Sequence, residues 1–166
     1  LLRAGSATLE SASTTGYKGK RPATLLNDGL LDNYTNERDN QFSTRFTLRT
    51  ATTPQGFDVR EIRSVAGLPI AANGDEQAHQ AYEIWWSSVD APDSFVRLGD
   101  FHHIMVNRTE RSSRIVINRA DGEPLARRVK AIEFRFVEPP LRQVGFIGIG
   151  NPTRYRELEA FGAPSP

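Results

Sequence analysis

Along most of this chain, apolar residues alternate with polar ones in stretches of about five to ten residues, divided by Gly, Pro, Asn and Asp. A period of two turns one face of an extended segment toward a core and the other toward water, the pattern of half-buried antiparallel strands. It is plainest at Phe42, Thr44, Phe46 and Leu48, at Tyr82, Ile84 and Trp86, at Ile132, Phe134 and Phe136, and at Leu158 with Ala160. Further strands are expected at Phe57–Ala66, Phe95–Gly99, Phe101–Val106, Arg114–Asn118 and Val144–Gly148. Helix is scarce. One turn is expected at Pro22–Leu26, with Pro near its first position and Asp28-Gly29 stopping it. About eight or nine short strands at this spacing predict an all-β fold, a two-sheet sandwich.

No repeat, low-complexity tract or change of composition divides the chain, so residues 1–162 read as a single domain, with 163–166 as a tail or the start of a linker. A chain of 166 residues buries roughly 70% of its unfolded surface and needs no staple. Because it opens at Leu1-Leu2-Arg3 without a methionine, the expected context is a larger polypeptide. No apolar run approaches the roughly 18 residues that span a bilayer.

The charge balance is 21 Lys and Arg against 20 Asp and Glu, a net +1, which supplies no broad field for nucleic acid. The basic stretch Arg108–Lys130 has no interleaved aromatics, so its residues read as solvated strand faces and turns. The absence of cysteine removes disulfides, thiolate nucleophiles and zinc–thiolate sites together. His102 and His103 are neighbours and point to opposite faces of a strand, which keeps them from sharing a metal. There is no HExxH pattern and no Gly-x-Ser-x-Gly elbow. These features favour a binding module over an enzyme.

Two motifs at the ends of the chain carry the specific signal. Leu25–Asn33 reads LLNDGLLDN, and Tyr155–Gly162 reads YRELEAFG. The first offers Asp28, Asp32 and Asn33 around a glycine turn, a source of the carboxylate, amide and carbonyl oxygens that calcium collects. Together with AYEIWWSS at Ala81–Ser88, these segments resemble the galactose-binding-like family, which includes discoidin (coagulation factor C-type) domains and carbohydrate-binding modules.

The resemblance spans Thr8 to Gly162 and implies a jelly-roll β-sandwich with a structural calcium near the termini and a ligand held by loops at the opposite end. Its calcium set maps onto Asp28, the carbonyls of Leu25 and Leu30, Asn33 where Thr or Ser is usual, the carbonyl of Arg156, and Glu157. Its recognition loops map onto Thr15–Arg21, Asn36–Asn40, Gly67–Gln80 and Asn107–Arg111. Tyr17 offers a face for stacking on a sugar there, and Arg38, Asn40, Asn73, Asp75, His79 and Arg108 offer hydrogen bonds to its hydroxyls.

The implied function is non-catalytic carbohydrate binding by an extracellular or cell-surface protein, with a glycan as partner. Two alternatives use the same loops: a protein–protein adhesion or assembly domain, or a lipid-surface binder dipping Leu68, Pro69 and Ile70 beside Lys18, Lys20 and Arg21. Trp86 shares a face with Tyr82 and Ile84 and is expected in the core; Trp85 faces the other way, where a neighbouring loop is expected to cover it.

Overall fold

The computed structural model describes residues 2, 8–15, 26, 35–37, 42–67, 78–104, 112–137 and 153–166. Nine strands run through them: β1 Leu9–Thr15, β2 Thr35–Glu37, β3 Phe42–Leu48, β4 Phe57–Gly67, β5 Gln80–Ser88, β6 Val96–His103, β7 Ser112–Asn118, β8 Ala126–Phe136 and β9 Thr153–Pro164. All pairings are antiparallel, and they form two layers, β1-β3-β8-β5-β6 and β7-β4-β9-β2. β8 joins the layers. Its residues 131–136 pair with β3 on one edge and β5 on the other, while Ala126 and Val129 pair with the start of β4.

The inward faces are the ones the alternation marked. Phe46, Leu48, Tyr82, Ile84, Val129, Ile132 and Phe134 from the first layer meet Phe57, Val59, Ile62, Tyr155, Leu158 and Ala160 from the second, all buried. Phe134 stands edge-on to Phe46 at 6.1 Å and to Tyr82 at 5.5 Å between centroids, the arrangement that sets a ring's positive edge against a negative face.

β3, β5, β8 and β9 fall where the periodicity predicts them, and β4 and β7 lie within a few residues of their expected bounds. The two strands expected at Phe95–Gly99 and Phe101–Val106 are one strand, β6. Gly99 does not interrupt it: the glycine stands beside the Phe101 ring, which a Cβ would approach to 3.1 Å, and the extra residue of a bulge at Leu98 restores the register. β1 and β2 were not anticipated. LESASTT carries only Leu9 and Ala12 as apolar positions, and β1 is held by its pairing with β3. The strand expected at Val144–Gly148 lies outside the described residues; of the helical turn at Pro22–Leu26 only Leu26 is described, in a 3-10 turn and fully buried.

Residues 163–165 are not a tail. β9 continues to Pro164, Ser165 N–H donates to the Gly56 carbonyl at 2.9 Å, and the Ser165 hydroxyl donates to Asp58 Oδ1 at 2.5 Å. Asp58 also accepts from the Arg128 backbone N–H at 3.2 Å and from Arg127 Nη1 at 3.3 Å. Arg128 adopts a left-handed φ of 55°, which aims its N–H at this carboxylate. Gly56, at φ 76°, packs so closely on it that a Cβ would lie 2.7 Å from the Arg128 carbonyl carbon. Burial pushes the Asp58 carboxyl up, but the bonds from Ser165 and the Arg128 N–H, with Arg127 and Arg60 nearby, outweigh it and hold the group below its ordinary value.

A carboxyl depressed on folding stabilises the fold above the ordinary carboxylate range near ~3.9, and loses that contribution as pH falls through its folded value. Asp58→Asn is therefore expected to lower stability at pH 7 by about 1–3 kcal/mol, the cost of losing bonds to a charged acceptor. Urea melts from pH 7 downward should show wild type and variant converging below the ordinary carboxylate value.

Candidate functional site

One end of the sandwich gathers the roots of all the expected recognition loops. β1 ends there at Thr15 beside Ser43, β5 begins there at Gln80 beside His103, and β8 ends there at Phe136 beside Tyr82. In the second layer, β4 ends there at Gly67 paired with Ser112, and β2 ends at Glu37 paired with Thr153. The segments 16–34, 38–41, 68–77 and 105–111 thus all leave from this end, whereas Leu9 and Pro164 lie at the other.

A buried polar chain fixes these roots to one another. Tyr82 Oη donates to Ser64 Oγ at 2.6 Å, and Ser64 Oγ donates to Gln80 Oε1 at 2.5 Å. Gln80 Nε2 then donates to Ser113 Oγ at 2.8 Å, and Ser113 Oγ donates to the Ala78 carbonyl. The chain crosses between the layers, from β5 to β4 and β7, and every member is buried. Burial also raises the Tyr82 phenol above its ordinary value despite the Ser64 bond, so it stays a donor. Beneath it Tyr155 packs on Phe136 at 4.4 Å and on Tyr82 at 6.1 Å, while its hydroxyl accepts from Ala81 N–H at 3.0 Å. Sequence reasoning missed this set, because isolated Ser and Gln carry no periodic signal.

Of the expected ligand residues, Tyr17, Arg38, Asn40, Asn73, Asp75 and Arg108 lie outside the described residues, as do Leu68, Pro69 and Ile70. His79 is described. It is 1% exposed at the foot of β5, so it is part of the floor and not of an open surface.

Of the expected calcium set, Leu25, Asp28, Leu30 and Asn33 lie outside the described residues. Arg156 and Glu157 are each 4% exposed in the first half of β9, nearer the loop end than the termini. A β-bulge falls on them: Val65 faces Glu157 and Ala66 faces Tyr155, leaving Arg156 as the extra residue. Such a residue drops out of the ladder and its peptide is re-aimed. A bulged peptide beside a buried carboxylate suits a cation that takes one carbonyl and one carboxylate from this strand. Leu26, two residues before Asp28 in the sequence, lies in the same core cluster as Tyr155 and Leu158. Among the described residues alone, no three His, Asp or Glu side chains gather for a metal.

Trp86 packs against the core as expected, and Trp85 faces outward; among the described residues Arg135 covers it, its guanidinium 4.0 Å from the ring centroid. The described cations of the basic stretch are mostly neutralised: Arg119 by Asp121, Arg127 by Glu123 and Asp58, Arg128 by Asp90, and Lys130 by Glu10.

No protein-family model matches the sequence, and no curated protein matches it. Solved structures do. An F5/8 type C domain from Bacteroides fragilis superposes with a TM-score of 0.58 at 13% identity, covering 94% of this chain and 92% of that one. The chain has the fold of these domains, an all-β jelly-roll sandwich of the galactose-binding-like type. The paired CBM32 domains of Clostridium perfringens ZmpB, in complex with GalNAc, superpose with a TM-score of 0.58 at 13% identity over 95% of this chain. A two-domain Bacteroides fragilis protein of unknown function gives 0.59 at 12% identity over 94%. The chain spans 35% and 42% of the length of those two proteins, respectively.

Ser113→Ala removes the acceptor of Gln80 Nε2 and the donor to the Ala78 carbonyl, leaving two buried groups unpaired. The expected cost is about 1–3 kcal/mol, read as a melting temperature lower by roughly 2–12 °C. Hydrogen exchange should rise first at Ala81 and Tyr82, at the foot of β5.

Proposed function

We propose that this domain is a non-catalytic carbohydrate-binding module of an extracellular protein, stabilised by calcium and binding glycan at the loop end. The observation that carries the reading is that the strand ends flanking the four expected recognition segments lie together at one end of the sandwich, away from Leu9 and Pro164. Loops on a fixed scaffold are where binding residues concentrate, and a sugar needs an aromatic face with a few polar groups. Tyr17, with Arg38, Asn40, Asn73, Asp75 and Arg108, supplies both on these segments. One neighbour of the same fold is a pair of CBM32 domains solved with GalNAc, which supports the ligand class.

The non-catalytic reading draws on the carboxylates. Two of the three buried acids among the described residues, Asp58 and Glu133, are held below their ordinary values by hydroxyl, backbone N–H and guanidinium partners, whereas a general acid needs its pKa raised toward neutrality. For calcium, the support is the bulge at Arg156 beside the buried Glu157, together with the sequence motif Asp28-Gly29, which follows the buried Leu26 by two residues. Asp28, Asn33 and Glu157 would give side-chain oxygens, and Leu25, Leu30 and Arg156 carbonyls. Bound there, calcium would tie the N-terminal segment to the last strand.

Tyr17→Ala and Arg38→Ala are expected to weaken retention on a glycan that the intact domain binds while leaving the melting temperature nearly unchanged, the outcome for residues that serve binding and not packing. Unaltered retention in both variants would place the site elsewhere. An ion at a hundred times its dissociation constant stabilises by about 2.7 kcal/mol. Excess chelator should accordingly lower the melting temperature of the wild type and not of Glu157→Gln; an identical melting curve with and without chelator would rule out the calcium.

A further inference from the structure

The outer face of the five-stranded layer carries a second, separate arrangement. Pairing aligns Arg97, Trp85, Glu133, Arg45 and Ser13 in one row across β6, β5, β8, β3 and β1. Glu133 is 4% exposed although it lies on the face turned away from the core. Two guanidinium groups close over it. Arg45 reaches Glu133 Oε2 through Nε at 2.7 Å and Nη2 at 2.6 Å, and Arg135 reaches Oε1 through Nε at 2.6 Å.

Each guanidinium also lies over an aromatic ring: Arg135 over Trp85 at 4.0 Å and Arg45 over Phe95 at 4.3 Å. The carboxylate uses the Nε side of each arginine, so that among the described residues the Nη1–Nη2 edge of Arg135 and Nη1 of Arg45 are left over. Both side chains remain substantially exposed, 46% for Arg45 and 39% for Arg135. Two guanidiniums against one carboxylate leave the trio at +1. Glu83, directly across from Arg135, accepts from Trp85 Nε1 at 2.9 Å and pairs with Arg97 at 3.1 Å, and Asp100 pairs with Arg97 at 3.3 Å, so the wider patch balances and the +1 is local to Arg45 and Arg135.

An arginine already fixed by a carboxylate and a ring has lost its freedom before any ligand arrives, and its free edge matches a planar carboxylate bidentately. Beside the pair, Ser11, Ser13, Ser43 and Thr47 present hydroxyls on the same face of β1 and β3. Hydroxyls around an anion receptor suit a saccharide; the row lacks the buried aromatic or aliphatic pocket that anchors a protein partner. We propose that Arg45 and Arg135 form an anion-recognising site for a carboxylate-bearing sugar, such as a uronic acid, distinct from the loop end.

The test titrates the isotope-labelled domain with galacturonate and, separately, with galactose, following the Trp85 Nε1–H and Arg135 Nε–H resonances. Galacturonate is expected to move both and galactose neither. Arg135→Lys keeps the charge but loses the fork, and should weaken the galacturonate response at Trp85 about tenfold, the factor for one lost charged hydrogen bond. Arg45→Lys provides the same reading if the first variant melts early. Still resonances under galacturonate, equal shifts with galactose, or an undiminished response in both folded variants would each overturn the site. Galactose shifts confined to the loop end would support the loop reading independently, so the two proposals fail separately.

Discussion

β8 exchanges backbone hydrogen bonds with β3 and β5 over residues 131–136 and with β4 at Ala126 and Val129, so one strand belongs to both layers. The rest of the sandwich follows from that sharing. β8 presents Val129, Ile132, Phe134 and Phe136 inward and Glu133 and Arg135 outward, which sets the register of β3 and β5 on either side. Slipping the strand by one residue would put Glu133 into the aromatic core, an uncompensated buried charge that the fold does not tolerate. Where β4 takes over from β3, the chain must turn sharply, and Gly56, Arg128 and Asp58 make that corner.

The two ends of the sandwich are tied by different chemistry. At the terminal end a charged group does the work: Asp58 collects Ser165, the Arg128 N–H and Arg127, and so locks the last strand to the first layer. At the loop end the tie is neutral, a chain of hydroxyl and amide groups from Tyr82 through Ser64 and Gln80 to Ser113. A buried hydrogen-bonded chain of this kind rigidifies the strand ends without introducing charge.

The large apolar periodicities were legible in the sequence, and they located the core strands: Phe46, Tyr82, Ile84, Ile132, Phe134 and Leu158 point inward as alternation requires. β1 was not legible because its neighbours, and not its own residues, hold it in the sheet. Ser165 belongs to the domain through hydrogen bonds to Asp58 and Gly56, partners more than a hundred residues away in sequence that no local pattern reveals. Trp85 was rightly turned outward by parity, and its cover among the described residues is Arg135, a strand neighbour that only the register of β5 with β8 brings alongside. The end motifs pointed to Arg156 and Glu157, and the bulge there is a feature the YRELEAFG string does not express. His79 was mapped to the recognition loop Gly67–Gln80 as a ligand residue, but it lies buried just before β5, a burial that the loop mapping does not express.

Glycan binding at the loop end is the central proposal for this domain. Screening the folded domain on an array of neutral and acidic glycans, in calcium and in chelator, tests this most directly. The expected result is selective retention of a related set of glycans in calcium, with weaker retention in chelator. A domain that melts cooperatively and yet retains no glycan in either condition would contradict it.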